Sequence, residues 1–339
     1  MTGPRPGGAA ALTILQVSRR PLDPTDPWVA AIREAIDPRH RIQTWDAATD
    51  PAGHFRDADV VIDFGGAGSR SMADVAKGVR LWQLTSVGTD HLDVDYFTAR
   101  GIPVAHCPGS TSAVALAECA LLLILAVSRQ LGVARQRLAA GVTGRPMGDE
   151  LPGRRLGLVG FGHSARELAL RAAALGMRVS AIGRTDIDPA VAENHRLQRA
   201  YPPGELDLLI SRSDVLSLHL PLTPATERII DRRRLGLLPA GAALINVSRG
   251  ALVDETALLD ALDSGRLAGA GLDAWASEPP SPQSALVRHP RVVGLPHIAG
   301  VTVQTARRRA QEIAANIERV AAGIAPQHLA APQVGHRGS

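Results

Sequence analysis

Cysteine is nearly missing from this chain, with only Cys107 and Cys119 among 339 residues. Two such residues give neither a disulfide framework nor metal-ligand spacing, so no bound metal and a reducing, cytoplasmic setting are expected. Aromatic residues are as scarce, at 3% against 45% hydrophobic residues overall, so the core has to be built from Ala, Leu, Val and Ile. No uninterrupted apolar run is long enough to span a bilayer. The longest, Ala113 to Val127, is broken by Glu118, and no membrane segment is expected. Glu118 itself reads as a partly buried, hydrogen-bonded acid at a domain junction. Neither sign of charge dominates: the formal net charge is +4 and acids and bases are interspersed. The basic runs Arg232 to Arg234 and Arg307 to Arg309 read as solvated helix faces, so no nucleic-acid partner is expected. Internal repeats and low-complexity tracts are absent. Met1 to Val17 has some look of a signal peptide, but Leu12 to Val17 reads better as a first strand behind a frayed Gly/Pro arm.

What is present is organised around Leu156 to Arg184. Leu156 to Val159 is a short apolar run, followed by Gly160-Phe161-Gly162-His163-Ser164-Ala165, which has the form G-x-G-x-x-A. Leu168, Ala172 and Leu175 then fall at helical spacing, Gly176 sits at a capping position, and Val179 to Ile182 reads as a second strand. Strand, glycine turn, helix and strand make an anion-binding unit. Gly160 permits the tight turn, Gly162 lets the backbone approach a pyrophosphate, and Ala165 lets helix pack on strand. An acidic residue usually follows the second strand to hold the ribose of NAD. Here Gly183, Arg184 and Thr185 follow instead, and a guanidinium suits a 2′-phosphate, so NADP is preferred over NAD. Asp186 and Asp188 are near enough to serve the ribose instead.

At 339 residues two domains are expected. Strands are predicted at Leu12 to Val17, Val60 to Phe64, Leu81 to Thr85 and Pro103 to His106, with a helix over Pro27 to Ile36. The turns Phe64 to Gly68 and Ser86 to Asp90 each follow a strand, and their backbone N–H groups suit a carboxylate. A long apolar helix covers Ser112 to Val127, and the Gly/Pro-rich stretch Gly141 to Pro152 leads into the glycine turn. Further strands are predicted at Val215 to Leu220, Ala243 to Val247, Gly269 to Asp273 and Val292 to Leu295, before a last helix over Thr302 to Gly323. Strands alternating with helices predict an α/β fold with doubly wound parallel sheets, whose ligands sit beyond the carboxyl ends of the strands. Arg249, Glu278 and His297 all fall at such ends.

With these residues in view the chain resembles the D-isomer-specific 2-hydroxyacid dehydrogenases over nearly its whole length. The likeness is carried by the glycine turn, Asn246-Val247-Ser248-Arg249-Gly250, the segment Leu272 to Pro280, and Pro296-His297-Ile298-Ala299-Gly300. It implies a discontinuous flavodoxin-like substrate domain, 11–108 plus 301–331, and an inserted Rossmann dinucleotide-binding domain, 109–300, with flexible ends at 1–10 and 332–339. The active site would lie between the two domains, and the assembly would be a homodimer formed near Ser112 to Val127. Carried over by position, the resemblance makes Arg249 the clamp on the substrate carboxylate and carbonyl, His297 the proton donor or acceptor, and Glu278 its carboxylate partner. It makes the Val87 and Gly88 backbone the cradle for the substrate carboxylate. Around the cofactor it places Gly160, Phe161, Gly162, His163, Ser164, Arg184, Thr185, His219, Pro221, Thr226, Val247, Ser248, Asp273 and Gly300. His163 and Ser164 stand where the family usually has Arg and Ile.

The chemistry these residue types suit is reduction of a small 2-keto acid such as glyoxylate or hydroxypyruvate, or oxidation of the 2-hydroxy acid. Histidine titrates near neutrality and can supply the proton that the developing alkoxide needs. A carboxylate on its other nitrogen favours the imidazolium, and arginine offers the fork that a 2-keto carboxylate accepts. Formate dehydrogenases of similar fold carry glutamine at the place of Glu278, so the hydroxyacid type is expected. No regulatory domain is expected, since the chain ends soon after the last helix. The second reading is a dinucleotide-sensing, corepressor-like interaction protein that keeps the dehydrogenase fold.

Overall fold

The computed structural model describes residues 10–45 and 51–330. The ends expected to be flexible, 1–10 and 332–339, lie outside the described residues apart from Ala10. The chain forms two compact units, Met1–Thr111 with Thr302–Ser339, and Ser112–Val301.

The first unit runs through β1 (Thr13–Ser18), α1 (Pro27–Ala35), β2 (Arg41–Thr44), α2 (Pro51–Phe55), β3 (Val60–Phe64), α3 (Arg70–Val75), β4 (Leu81–Leu84), α4 (Val94–Ala99) and β5 (Val104–Ala105). Its strands pair in parallel in the order β2-β1-β3-β4-β5, the doubly wound flavodoxin-like arrangement. The central strands β1, β3 and β4 are buried almost throughout, as strands covered on both faces must be. The sequence did not announce β2. Its Arg-Ile-Gln-Thr run is an edge strand with polar ends in solvent, and so lacks the apolar continuity of a central strand. The start of α1 was legible: Asp26 accepts hydrogen bonds from the Trp28 and Val29 N–H groups, and Pro27 opens the helix.

The second unit contains α5 (Ala113–Ser128), α6 (Leu131–Ala139), β6 (Arg155–Val159), α7 (His163–Ala174), β7 (Arg178–Ile182), α8 (Pro189–Asn194), β8 (Arg199–Tyr201), α9 (Leu206–Ser211), β9 (Val215–Leu218), α10 (Arg232–Leu237), β10 (Ala242–Asn246), α11 (Glu255–Asp263), β11 (Leu267–Leu272), α12 (Ala285–Arg288) and β12 (Val292–Gly294). The sheet order is β12-β11-β10-β9-β6-β7-β8, parallel throughout. Counted from β6 this is the Rossmann order with one strand added beyond its sixth, so the switch point falls between β6 and β9. In α7, Leu168 and Ala172 are buried as their spacing predicts. Leu175 is not: it is the C-cap residue and is 42% exposed, because the chain has already begun to leave the helix toward Gly176, whose φ is +79°.

The α5 helix packs against α7, β10 and β11. With the preceding turn it forms a 20-residue stretch, Gly109–Ser128, of mean hydropathy 2.1. By length and composition alone that stretch is enough to cross a membrane, so the expectation of a run too short is corrected; 56% of its apolar window is buried inside the protein. Glu118 also departs from expectation. It is exposed, and its side chain makes no hydrogen bond among the described residues. It shares a helical stripe with Leu122 and Leu125, 55% and 41% exposed, on the side turned away from the sheet.

The last helix, α13 (Val303–Ala321), closes the first unit, with Ile313, Ile317 and Val320 packed among Ile14, Ile32, Ile62 and Leu81. In the basic runs Arg232, Arg233 and Arg307 are exposed, as expected of solvated helix faces, and several of these arginines also have partners within the protein. Arg232 pairs with Asp260, Arg233 and Arg234 share Asp207, and Arg308 and Arg309 donate to the carbonyls of Thr111 and Thr85.

Candidate active site

Three loops of the second unit carry the sequence-predicted catalytic side chains, each leaving the carboxyl end of a strand. The loop after β12 holds His297 in the left-handed region, at φ +57°, which a non-glycine residue adopts only when its surroundings enforce it. Asp273 supplies that enforcement. It is buried at the end of β11, and its two carboxylate oxygens accept the N–H groups of Ile298 and Ala299 at 2.7 and 2.8 Å. The chain is thereby clamped directly after the histidine.

Glu278 lies in the loop after β11. Its Oε2 is 2.6 Å from His297 Nδ1, and its Oε1 accepts the Trp275 N–H at 3.0 Å. An ionised carboxylate only accepts, so Nδ1 carries the proton of that bond and Nε2 is the nitrogen left to exchange a proton. Trp275 also ties the two loops together through Nε1, which donates to the Leu295 carbonyl at 2.9 Å.

The electrostatics agree with the geometry. The Glu278 hydrogen bond raises the pKa of His297, helped by the charges of Glu278 and Asp273, against partial burial and the Arg249 charge. For Glu278, burial pushes upward, but the His297 bond, the Trp275 N–H and the charges of His297 and Arg249 together bring it below the ordinary value. Arg249 is thus within electrostatic reach of both.

Arg249 is half-buried on the loop after β10. Asn246 shapes this loop: its Nδ2 donates to the Arg249 carbonyl at 2.8 Å and its Oδ1 accepts the Ser248 N–H at 3.0 Å. Gly250 is required by packing. A Cβ there would lie 1.8 Å from the Trp275 carbonyl carbon, so only glycine lets the arginine loop and the Trp275–Glu278 loop approach this closely.

The glycine turn fits a dinucleotide. Gly160 has φ +92° and packs on β9, where a Cβ would meet the His219 carbonyl oxygen at 2.4 Å, whereas at Gly162 a Cβ would meet nothing within 4 Å. No side chain caps the first turn of α7, so its N–H groups face open space at the positive end of a 12-residue helix. Beneath it, His219 is held between two hydroxyls, Ser164 Oγ at Nδ1 and Ser217 Oγ at Nε2, both 3.0 Å away. Burial takes its pKa down to about 4, so it links α7 to β9 as a neutral ring.

Other residues assigned to the cofactor are already committed within the protein. Thr226 Oγ1 closes its own turn by donating to the Pro221 carbonyl and accepting the Thr223 N–H, and Ser248 Oγ donates to the Leu218 carbonyl. The Val247 side chain is buried in the core. His163, Thr185 and Pro221 are exposed, and Phe161 is buried.

In the first unit the two strand-end turns differ. After β3, the buried Asp63 accepts the Ala67 and Gly68 N–H groups at 2.7 and 2.9 Å and the Trp82 indole N–H at 3.1 Å. The Phe64 to Gly68 turn therefore spends two of its N–H groups on the protein's own carboxylate, which corrects its reading as a carboxylate cradle. After β4, Ser86 Oγ donates to the Gly88 carbonyl, and among the described residues the Val87 and Gly88 N–H groups find no acceptor.

The model of the D-isomer specific 2-hydroxyacid dehydrogenase NAD binding domain matches residues 121–299, more than half of the chain. The chain belongs to this family. A hydroxypyruvate reductase of Thermotoga maritima is 36% identical over 248 residues, covering 72% of this chain and 78% of that protein. A D-3-phosphoglycerate dehydrogenase of Mycobacterium leprae is 39% identical over 239 residues, covering 70% of this chain but only 44% of the relative. This chain thus spans about half the length of the phosphoglycerate dehydrogenases it matches. Among solved structures, a glyoxylate reductase from Paecilomyes thermophila superposes with a TM-score of 0.82 at 26% identity, over 95% of this chain and 99% of that one.

As a family member the chain binds NAD(P) on its Rossmann unit. Sequence reasoning missed Trp275, Asn246 and the clamping role of Asp273. A signal was there for each, since all three stand inside the motifs already singled out, but their hydrogen-bond partners lie on other loops.

Proposed function

We propose that this protein is an NAD(P)-dependent 2-hydroxyacid dehydrogenase acting chiefly as a 2-keto acid reductase, with His297 as proton donor, Glu278 as its partner and Arg249 as the substrate clamp. The observation that carries this reading is the 2.6 Å His297–Glu278 bond on a loop clamped by Asp273, within reach of the Arg249 charge. A reduced nicotinamide bound at the α7 turn supplies the hydride. The chain's own part is to hold the acid and to deliver the proton. Arg249 offers its fork to the carboxylate and carbonyl, the Val87 and Gly88 N–H groups take the carboxylate, and His297 Nε2 gives its proton to the developing alkoxide. Steady-state oxidation of NADPH and NADH with a panel of 2-keto acids tests the reading. Tight dinucleotide binding without turnover of any acid would replace it with the sensor reading.

Glu278 gives the pH profile its sign. Because its bond raises the His297 pKa, the protonated donor persists to higher pH, and reduction declines as pH rises through that raised value. In Glu278→Gln the falling limb of kcat/KM should move to lower pH. A limb that stays in place would show that His297 does not set it.

We favour NADP over NAD. At Gly183 a Cβ would lie 2.7 Å from the Thr185 carbonyl oxygen, so an acid at that position would clash with the turn. Asp188 is occupied as the N-cap of α8, accepting from Ala190 and Val191, while Arg184 is exposed and makes no ion pair among the described residues. Arg184→Asp should lower the ratio of kcat/KM with NADPH to that with NADH by about tenfold or more, of the order of one charge-assisted contact of about 1.5–3 kcal/mol. An unchanged ratio would place the 2′-phosphate elsewhere or remove it. We take the assembly to be a homodimer formed over the exposed Leu122, Leu125, Leu131 and Leu138 of α5 and α6, and the compartment to be the cytoplasm, where the free Cys107 and Cys119 stay reduced.

A further inference from the structure

Two loops of the second unit bring His297 to Glu278, and one side chain joins the roots of both. Trp275 is buried, 6% exposed, three residues before Glu278. Its backbone N–H donates to Glu278 Oε1 at 3.0 Å, while its indole Nε1 donates at 2.9 Å to the carbonyl of Leu295, two residues before His297. The ring lies close against β12, where a Cβ on Gly294 would come within 2.8 Å of the Trp275 Cζ2 atom. Its packing is not closed all round: Trp275 lines a cavity of about 410 Å³ together with Pro280, Gly294, Leu295 and Pro296. Apolar contact therefore leaves the indole some freedom, and the hydrogen bond to Leu295 is what fixes it.

We infer that Trp275 is a positioning residue whose indole N–H, acting through the Leu295 carbonyl, holds the His297 loop at the separation from Glu278 where their 2.6 Å bond forms. The inference rests on the reductase reading above, in which His297 delivers the proton. Asp273 holds the chain just after His297 and Trp275 holds it just before, so the imidazole is carried between two anchors. Both anchors and the acid itself belong to one segment, Asp273 to Glu278. The Leu295 N–H is fixed by the ladder bond to the Leu272 carbonyl at 2.8 Å, and the Leu295 carbonyl, the next link toward His297, has the indole as its partner. A charge-assisted bond as short as that between His297 and Glu278 weakens when its partners part by a few tenths of an ångström. Within the second unit the charged groups that bear on His297 are Glu278, Asp273 and Arg249. Trp275 bonds to the first of these, so loss of the indole N–H reaches His297 through Glu278. The Glu278 bond raises the His297 pKa, so a looser bond raises it less and the protonated donor is lost at lower pH.

The test is Trp275→Phe, which keeps an aromatic ring in place and deletes the N–H. The falling limb of kcat/KM is expected to move to lower pH by roughly half a unit, the size of one ordinary hydrogen bond. The titration of the His297 Cε1–H, followed by NMR in the intact protein without substrate and assigned against His297→Asn, is expected to move with it. Gly294→Ala, which displaces the ring and leaves its N–H in place, should shift both in the same direction. In a Glu278→Gln background Trp275→Phe should shift neither, because the carboxylate through which it acts is gone. A His297 titration that Trp275→Phe leaves in place, or moves equally with and without Glu278, would overturn the inference. So would a loss of turnover in equal proportion at every pH, which is what a ring serving only the fold would give. No turnover of any acid by the unaltered protein would end the reductase reading, while the NMR titration would still decide whether Trp275 positions the pair.

Discussion

Replacing His297 by alanine is expected to cut kcat for 2-keto acid reduction by roughly 10²- to 10⁴-fold, the range over which a positioned general acid acts, while the dinucleotide dissociation constant changes less than about twofold. The two readouts are steady-state NADPH oxidation and fluorescence titration of the dinucleotide. Loss of fold is not the expected cause. The His297 side chain is 44% exposed, so its removal leaves no core cavity, and the backbone after it is held by Asp273 and not by the ring. His297→Asn provides the check, because asparagine tolerates the left-handed conformation at this position. A variant of either kind that kept full turnover would remove His297 from the chemistry and pass the proton to another group.

Arg249→Lys should be almost as damaging despite keeping the charge. An ammonium cannot present two parallel N–H groups to a carboxylate, and losing one charge-assisted bond of about 1.5–3 kcal/mol corresponds to about 10- to 150-fold in kcat/KM. The loss should appear largely in KM. Because the positive charge is retained, its opposition to protonation of His297 persists and the pH limb should hold. Arg249→Gln separates the effects: the charge goes, the His297 pKa rises further, and the limb moves to higher pH. Kinetics unchanged in Arg249→Lys would mean that the carboxylate is gripped elsewhere, with the Val87 and Gly88 N–H groups the first place to look.

Most of the fold could be read along the chain because parallel strands buried on both faces leave apolar runs that end at glycine or proline. Val60–Phe64 and Val215–Leu218 show this, and the two strands not anticipated, β2 and β8, are short and carry polar residues at sheet edges. Glu118 was misread for a related reason: an acid inside an apolar run looks buried until the helix's outward stripe is known. The Phe64 to Gly68 turn has the composition of a carboxylate cradle, yet Asp63, one residue upstream, already occupies it.

The order of strands, glycine turn and helices, and the presence of an arginine, a glutamate and a histidine at successive strand ends, were determined by the sequence alone, since each depends on local periodicity and on residue chemistry. The folded chain decided which of those groups meet. His297 finds Glu278, Asp273 clamps the loop that carries His297, and Gly250 admits the Trp275 backbone. These are contacts between segments far apart in sequence, and a hydrogen bond forms or fails over a few tenths of an ångström. Distances of that kind follow from the packing of whole strands and helices, which no local pattern records.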